Sequence, residues 1–222
     1  MTNMLAKSFA KTLVRKIKVP PLRQILETAG TAAPISFRTF VLQKIIGFNR
    51  AAYWPTHFTS VISCPQNIEI GIGAAPGLSP NCYIQGKSGI KLGDYSLVGP
   101  SVGIISSNHD IYDISSHKSS TGVVIGSYCW IGMNAVVLPG VRLGDHTIVA
   151  AGAIVTKPFP DGYCVLGGNP AKVIKSLDRK TVCNRRNKHE YIGYYNASYF
   201  FQNKAKILNL VYNPQSNSFD RF

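Results

Sequence analysis

Aliphatic residues recur every six positions through the middle of the chain. Counting in sixes from Ile125 gives Ile131, Val137, Leu143, Val149 and Val155 in one unbroken frame. The residue after each is mostly small (Gly126, Gly132, Leu138, Gly144, Ala150, Thr156), and the residue four on is mostly small or modest (Cys129, Ala135, Val141, Thr147, Ala153, Phe159). Leu92, Val98 and Ile104 keep the period upstream, as do Ile72, Leu78 and Ile84; a slip near Ile90 and an irregular stretch over 110–124 separate the runs. A period of six fits neither an α-helix nor simple alternation. It fits a chain that turns a corner every six residues, with one aliphatic side chain per face pointing inward. Successive coils then pair as parallel strands about 4.8 Å apart, and each buries its face only by stacking on neighbours. The pattern predicts an all-β solenoid, a parallel β-helix, over 61–176. It has a helical N-terminal extension over 1–60 and a basic, aromatic C-terminal tail over 177–222.

The flanks read differently. Leu5, Phe9, Leu13 and Ile17 recur every four residues, with Lys7, Lys11, Arg15 and Lys18 on the other side, the pattern of an amphipathic helix. Pro20-Pro21 ends it. Phe37, Phe40, Val41, Lys44, Ile45 and Phe48 predict a second helix. Gly168-Asn169-Pro170 reads as a loop and helix start, with Asn169 as N-cap and Pro170 in the first turn. His146 lies in a Gly-Asp-His-Thr corner and is expected to face solvent.

Charge sharpens this division. The formal charge of +14 is concentrated at the ends: residues 1–50 hold 9 basic and 1 acidic side chains, 51–175 hold 7 and 6, and 176–222 hold 8 and 3. Basic flanks suit anionic partners, and residues 4–18 are a candidate peripheral contact with a membrane. The tail interleaves basic residues with Tyr and Phe but carries no RNA-binding signature, so no nucleic-acid partner is expected. No apolar run approaches the ~20 residues of a membrane-spanning helix, and no signal peptide is apparent, so a cytoplasmic location is expected. The 5 cysteines are widely spaced and form no C-x-x-C, which argues against a disulfide framework or a zinc ribbon.

One coil ends Ser106-Ser107-Asn108-His109-Asp110, and there the frame breaks. A histidine where a regular scaffold gives way to a loop is well placed to face a cleft. Around it run I-K-L-G-D at 90–94, N-H-D at 108–110 and V-V-I-G-S-Y-C-W-I-G at 123–132. V-L-P-G-V-R-L-G-D at 137–145, A-A-G-A-I-V-T-K at 150–157 and G-N-P-A-K-V-I-K at 168–175 follow. This half of the chain resembles the hexapeptide-repeat acyltransferases, in particular the galactoside, maltose and nodulation-type O-acetyltransferases and their polysaccharide-modifying relatives.

The resemblance implies a left-handed parallel β-helix, a homotrimer with active sites between subunits, acetyl-CoA as co-substrate, no metal, and a saccharide acceptor bound beside a loop over 110–124. His109 matches the catalytic base. Trp130 and Met133 match positions lining the pantetheine arm, Ala151, Thr156 and Lys157 match coils flanking CoA, and Lys172 and Lys175 match a basic pair meeting phosphate. An imidazole suits the role of base because a sugar hydroxyl must lose its proton as it attacks a thioester. The ring needs a second hydrogen bond to hold its tautomer, and a carbonyl or a side chain from another coil is the expected partner.

Ser79, Asn81, Asn108, Asp110 and His117 are the candidate acceptor-binding residues. Two positions depart from the family: an acceptor-binding Asn falls on Ser79, and an acidic position falls on Lys87, so the acceptor's identity stays open. An amine acceptor and a non-enzymatic trimeric scaffold are the competing readings. A zinc site like that of β-helical carbonic anhydrases needs histidines at another spacing than His109 and His117. Cys82 and Cys129 occupy small inward positions, a poor setting for a nucleophile.

Overall fold

The computed structural model describes residues 22–117 and 120–208. The amphipathic helix expected over 5–17, and with it the membrane contact of residues 4–18, lies outside the described residues. Among the described residues no helix is long and apolar enough to cross a membrane.

The coil stack is present. The first sheet joins β1 (Val61–Ser63), β3 (Tyr83–Gln85), β6 (Gly103–Ile105), β9 (Val136–Val137) and β12 (Ile154–Val155). The second joins β2 (Ile68–Ile70), β4 (Ile90–Leu92), β7 (Val123–Ile125) and β10 (Arg142–Leu143). The third joins β5 (Leu97–Val98), β8 (Trp130–Ile131), β11 (Thr147–Val149) and β13 (Cys164–Gly167). Every pairing within these three sets is parallel. The chain visits the sheets in rotation, which makes a three-sided parallel β-helix.

The inward positions are those of the six-residue frame. Ile125, Ile131, Val137, Leu143, Val149 and Val155 are all fully buried, as are Leu92, Ile84 and Ile104. The small position four residues on fills the corners from inside, with Cys129, Ala135, Val141 and Ala153 buried too. The upstream run is where the frame weakens. Ile72 and Leu78 are only half-buried, and Ile68 and Ile70 of β2 fill the first coil instead. The stack therefore begins before Ile72, with β1 and β2 of the same coil.

One corner carries a feature the repeat pattern hides. Tyr95, Tyr128, His146 and Tyr163 all adopt left-handed φ, between 48° and 57°. That conformation costs an L-residue about 1 kcal/mol or more. Here the strain is offset by stacking, with ring centroids 5.4, 5.1 and 4.9 Å apart up the column. His146 is thereby buried, and its Nε2 lies 2.8 Å from Asn184 Oδ1. It does not face solvent, because its ring is a rung of this column.

The turn at Gly168-Asn169-Pro170 leads into a strand rather than a helix. β14 (Lys172–Ser176) runs antiparallel to β13. The last coil would otherwise leave an open edge, and β14 covers it. The chain then descends along the aromatic corner. Arg179 lies over the Tyr163 ring, Asn184 meets His146, the Tyr95 hydroxyl donates to Glu190, and Gly73 N–H donates to the Tyr191 carbonyl.

Residues 191–207 are ordered structure, not an extended tail. β15 (Tyr191–Ile192) and β16 (Tyr195–Asn196) form a hairpin. It leads into α3 (Ala197–Ile207); among the described residues the α-helices before it are α1 (Leu22–Thr28) and α2 (Phe37–Phe40), the latter continued by a π-helical turn over Val41–Ile46. Phe200 of α3 stacks on Tyr53 at 5.4 Å, and Lys204 pairs with Glu69 of β2. Phe200, Tyr53 and Trp54 roof the first coil. Aromatic and basic residues of the segment expected as a tail, Phe200 and Lys204 among them, are spent on this cap. The buried Gln43 amide joins both ends: Nε2 donates to the carbonyls of Asn49, Ala52 and Trp54, while Oε1 accepts from Thr56 N–H and the Tyr194 hydroxyl.

Glu27 of α1 ties the first helix to the hairpin. It accepts from the Tyr191 hydroxyl at 2.5 Å and from Arg23 at 3.0 Å. Burial raises its pKa, but the Tyr191 and Arg23 contacts outweigh it and hold the carboxyl below its ordinary 4.5. A depressed carboxylate contributes stability that is present above its unfolded pKa and lost as pH falls through the folded one. Glu27→Gln is therefore expected to melt roughly 2–5 °C lower at pH 7. The gap should close on acidification below the ordinary carboxylate range, as followed by circular dichroism.

Candidate active site

The chain leaves the coil after β6, at the corner between the first and second sheets. The ladder of β3 and β6 runs one step further, with Ser106 N–H donating to the Gln85 carbonyl at 3.1 Å. Beyond that the Gln85 side chain takes over. Its Nε2 donates to the Ser107 carbonyl at 3.0 Å, and its Oε1 accepts from Ser107 N–H at 2.9 Å. Ser88 N–H donates to Ser106 Oγ at 2.9 Å. Ser106 and Ser107 are both buried. The loop that follows is pinched at its base by a bridge between His109 and His117, whose rings lie 4.1 Å apart. Its tip projects Ile111, Tyr112 and Ile114, each about four-fifths exposed or more.

His109 is exposed, and its Nδ1 lies 2.6 Å from the Ile114 carbonyl. A carbonyl only accepts, so this bond assigns the proton to Nδ1. In the neutral ring Nε2 is then the nitrogen that carries the lone pair. The tautomer-holding partner expected as a carbonyl or a side chain is thus a backbone carbonyl, supplied by the loop itself. Burial, then Lys87 and His109, push the His117 imidazole below its ordinary value. His117 therefore stays neutral beside His109 at neutral pH.

The other candidates divide among the edges of the coil. Asn108 is exposed next to His109. The Asp110 carboxylate is turned onto its own loop, accepting from Tyr112 and Asp113 N–H. These bonds shape the loop. Ser79 and Asn81 lie at the corner between the third and first sheets, the opposite side of the first sheet from His109; Ser79 donates to the Val98 carbonyl at 2.7 Å. Met133 and Ala151 occupy that same corner on later coils, while Thr156 and Lys157 follow β12 at the corner of the His109 loop. Lys172 and Lys175 are exposed on β14.

Trp130 projects outward from β8, half exposed, over a groove of about 420 Å³. Leu97, Val98, Gly99 and Ser79 form the groove with it, and Ala32 and Pro34 from the N-terminal segment close one side. A single chain does not bring this groove and His109 to one pocket. The outward residues of the second sheet, in register Glu69, Lys91, Val124 and Arg142, are mostly charged. Outward positions of the other two carry Val61, Tyr83, Leu97 and Trp130.

Two alternative chemistries find little support in the packing. Cys129 points into the core, and burial pushes its thiol up to about 11; Cys82 is buried and raised for the same reason. Among the described residues no cluster of three His, Cys, Asp or Glu side chains gathers to hold a metal ion. The feature that sequence reasoning missed is Gln85. It occupies an outward strand end, and a pattern built on inward aliphatics gives it no signal.

A family model described as bacterial transferase hexapeptide (six repeats) matches residues 122–157. Galactoside O-acetyltransferase of Escherichia coli (strain K12) is 33% identical over 153 residues, which is 68% of this chain and 69% of that protein. The 2,3,4,5-tetrahydropyridine-2,6-dicarboxylate N-acetyltransferase of Clostridium perfringens is 48% identical over a shorter stretch of 63 residues, 28% of this chain and 26% of the relative. Among solved structures, a hexapeptide-repeat acetyltransferase of Vibrio cholerae, complexed with acetyl coenzyme A, has a TM-score of 0.50 at 23% identity. That alignment covers 70% of this chain and 84% of the other.

Proposed function

The chain belongs to the hexapeptide-repeat acyltransferases, and from that premise we propose that it moves an acetyl group from acetyl-CoA to a saccharide hydroxyl, with His109 as general base. The family makes it an acetyl-CoA-dependent transferase; the acceptor and the roles of individual residues are the proposal. The observation that carries it is the His109 tautomer. With Nδ1–H bound to the Ile114 carbonyl, the exposed Nε2 is ready to take a proton.

In the reaction, Nε2 accepts the proton of the acceptor hydroxyl as its oxygen attacks the thioester carbonyl. The tetrahedral intermediate collapses with loss of the CoA thiolate, and the imidazolium returns the proton to that sulfur. Among the described residues the polar contact that orients the ring is the Ile114 carbonyl, and the His117 ring packs beside it. The groove beneath Trp130 suits the pantetheine arm, an apolar wall with few polar groups. Lys172 and Lys175 suit the CoA phosphates as point charges. The coil is read as left-handed, after the family.

Groove and base lie on different edges of one coil, so a neighbouring chain must bring its groove to this chain's His109. That supports a homotrimer packed through the two sheets whose outward positions carry Val61, Tyr83, Leu97 and Trp130.

Lys172→Glu combined with Lys175→Glu is expected to raise KM for acetyl-CoA roughly tenfold, about 1.4 kcal/mol. The analogue lacking the 3′-phosphate should lose less. Equal losses for both thioesters would count against phosphate contact. The acceptor class is tested by CoA release against a saccharide panel with mass spectrometry of the products. Acetyl found on nitrogen would favour an amine acceptor, the chemistry named for the Clostridium relative.

A further inference from the structure

Gln85 ends β3 on the outward side of the first sheet, next to the point where the chain leaves the coil for the His109 loop. An outward glutamine on a solenoid normally spends its amide on water. This one spends both ends on the backbone of a single residue, Nε2 on the Ser107 carbonyl and Oε1 on Ser107 N–H, with Ser106 Oγ a more distant donor to Oε1 at 3.5 Å. The pair reproduces with a side chain the two bonds of one further ladder rung, after the backbone ladder has stopped at Ser106. Ser107 is 3% exposed, so its peptide has little access to water as a substitute. His109 follows two residues on, at most about 7 Å of extended chain away. Its backbone is thus fixed from below by Gln85, and its ring is held from above by the Ile114 carbonyl. Remove the lower hold and the described bonds at the loop base stop at Ser106, one residue short of Ser107.

We propose that Gln85 is a positioning residue for the reaction, holding the Ser107 peptide so that the His109 Nε2 stays aimed at the acceptor. The proposal rests on the reading of His109 as base. It also gives the frame break a physical meaning: the amide lets the coil end its ladder without losing register at the residue that matters.

The test compares Gln85→Met, which keeps the length and loses both bonds, with Gln85→Glu, which keeps the acceptor for Ser107 N–H and loses the donor at neutral pH. Steady-state kinetics, thermal melting and the imidazole ¹⁵N signals of His109 are measured on the full chain. Gln85→Met should lower kcat roughly tenfold to a hundredfold while KM for acetyl-CoA stays nearly constant. The His109 nitrogens should shift from a pure Nδ1–H pattern towards a tautomer mixture, with Gln85→Glu between the two. Parental kcat and parental His109 signals in Gln85→Met would overturn the proposal. So would losses in both variants that follow melting temperature with the His109 signals unmoved. Normal turnover in His109→Ala would refute the base reading itself, whereas a dead His109→Ala beside a fully active Gln85→Met would refute only the role of Gln85.

Discussion

His109→Ala is expected to lower kcat by roughly 10²–10⁴-fold, the usual worth of a positioned general base, while calorimetric affinity for acetyl-CoA is retained. The side chain is exposed on its loop, and among the described residues its polar contact is with the Ile114 carbonyl. Its removal therefore leaves the coil intact. His117 lies beside it, and burial, Lys87 and His109 hold it neutral. That ring does not take over, because it sits across the loop neck in its own orientation. Full turnover in the variant, read by CoA release, would remove His109 from the mechanism. A loss of acetyl-CoA binding in proportion to the loss of rate would make it a binding residue instead.

Ile131→Ala carries the largest expected effect on folding. Ile131 lies between Val98 and Val149 in the third sheet and is fully buried. Deleting three methyl or methylene carbons there should cost about 2–5 kcal/mol. For a chain of this size, that lowers Tm by roughly 5–15 °C. Trp130, one residue earlier, points the other way and is half exposed. Trp130→Ala should lower Tm by clearly less than Ile131→Ala and raise KM for acetyl-CoA. An adjacent pair with opposite phenotypes, one in melting and one in kinetics, follows from strand alternation. Similar melting losses in both would contradict the assigned inward face.

How much was legible beforehand follows from what a periodic pattern encodes. The inward aliphatics are set by stacking, one per face per coil, so the frame from Ile125 to Val155 reads directly as buried positions. The His109 loop was legible because it interrupts that frame. Ile72 and Leu78 keep the period without being fully buried, since the first coil is filled by β2 and roofed by helices instead of by another coil. His146 and the tail misled for a common reason. Their environment is made by residues distant in sequence, Asn184 for His146 and Tyr53 for Phe200. The turn at Pro170 misled because the open edge of β13 outweighs the local helix-start signal. Gln85 and the Ile114 carbonyl carry no period at all, and only coordinates bring them to His109.

The return of the chain along the aromatic corner changes what kind of solenoid this is. Repeat arrays ordinarily add turns independently, and either end frays without consulting the other. Here residues 191–207 lid the first turn, so the two ends of the array are coupled. A nick between residues 178 and 188 would unseat the opposite pole. During synthesis the first turn must wait, uncovered, until residues 191–207 have left the ribosome.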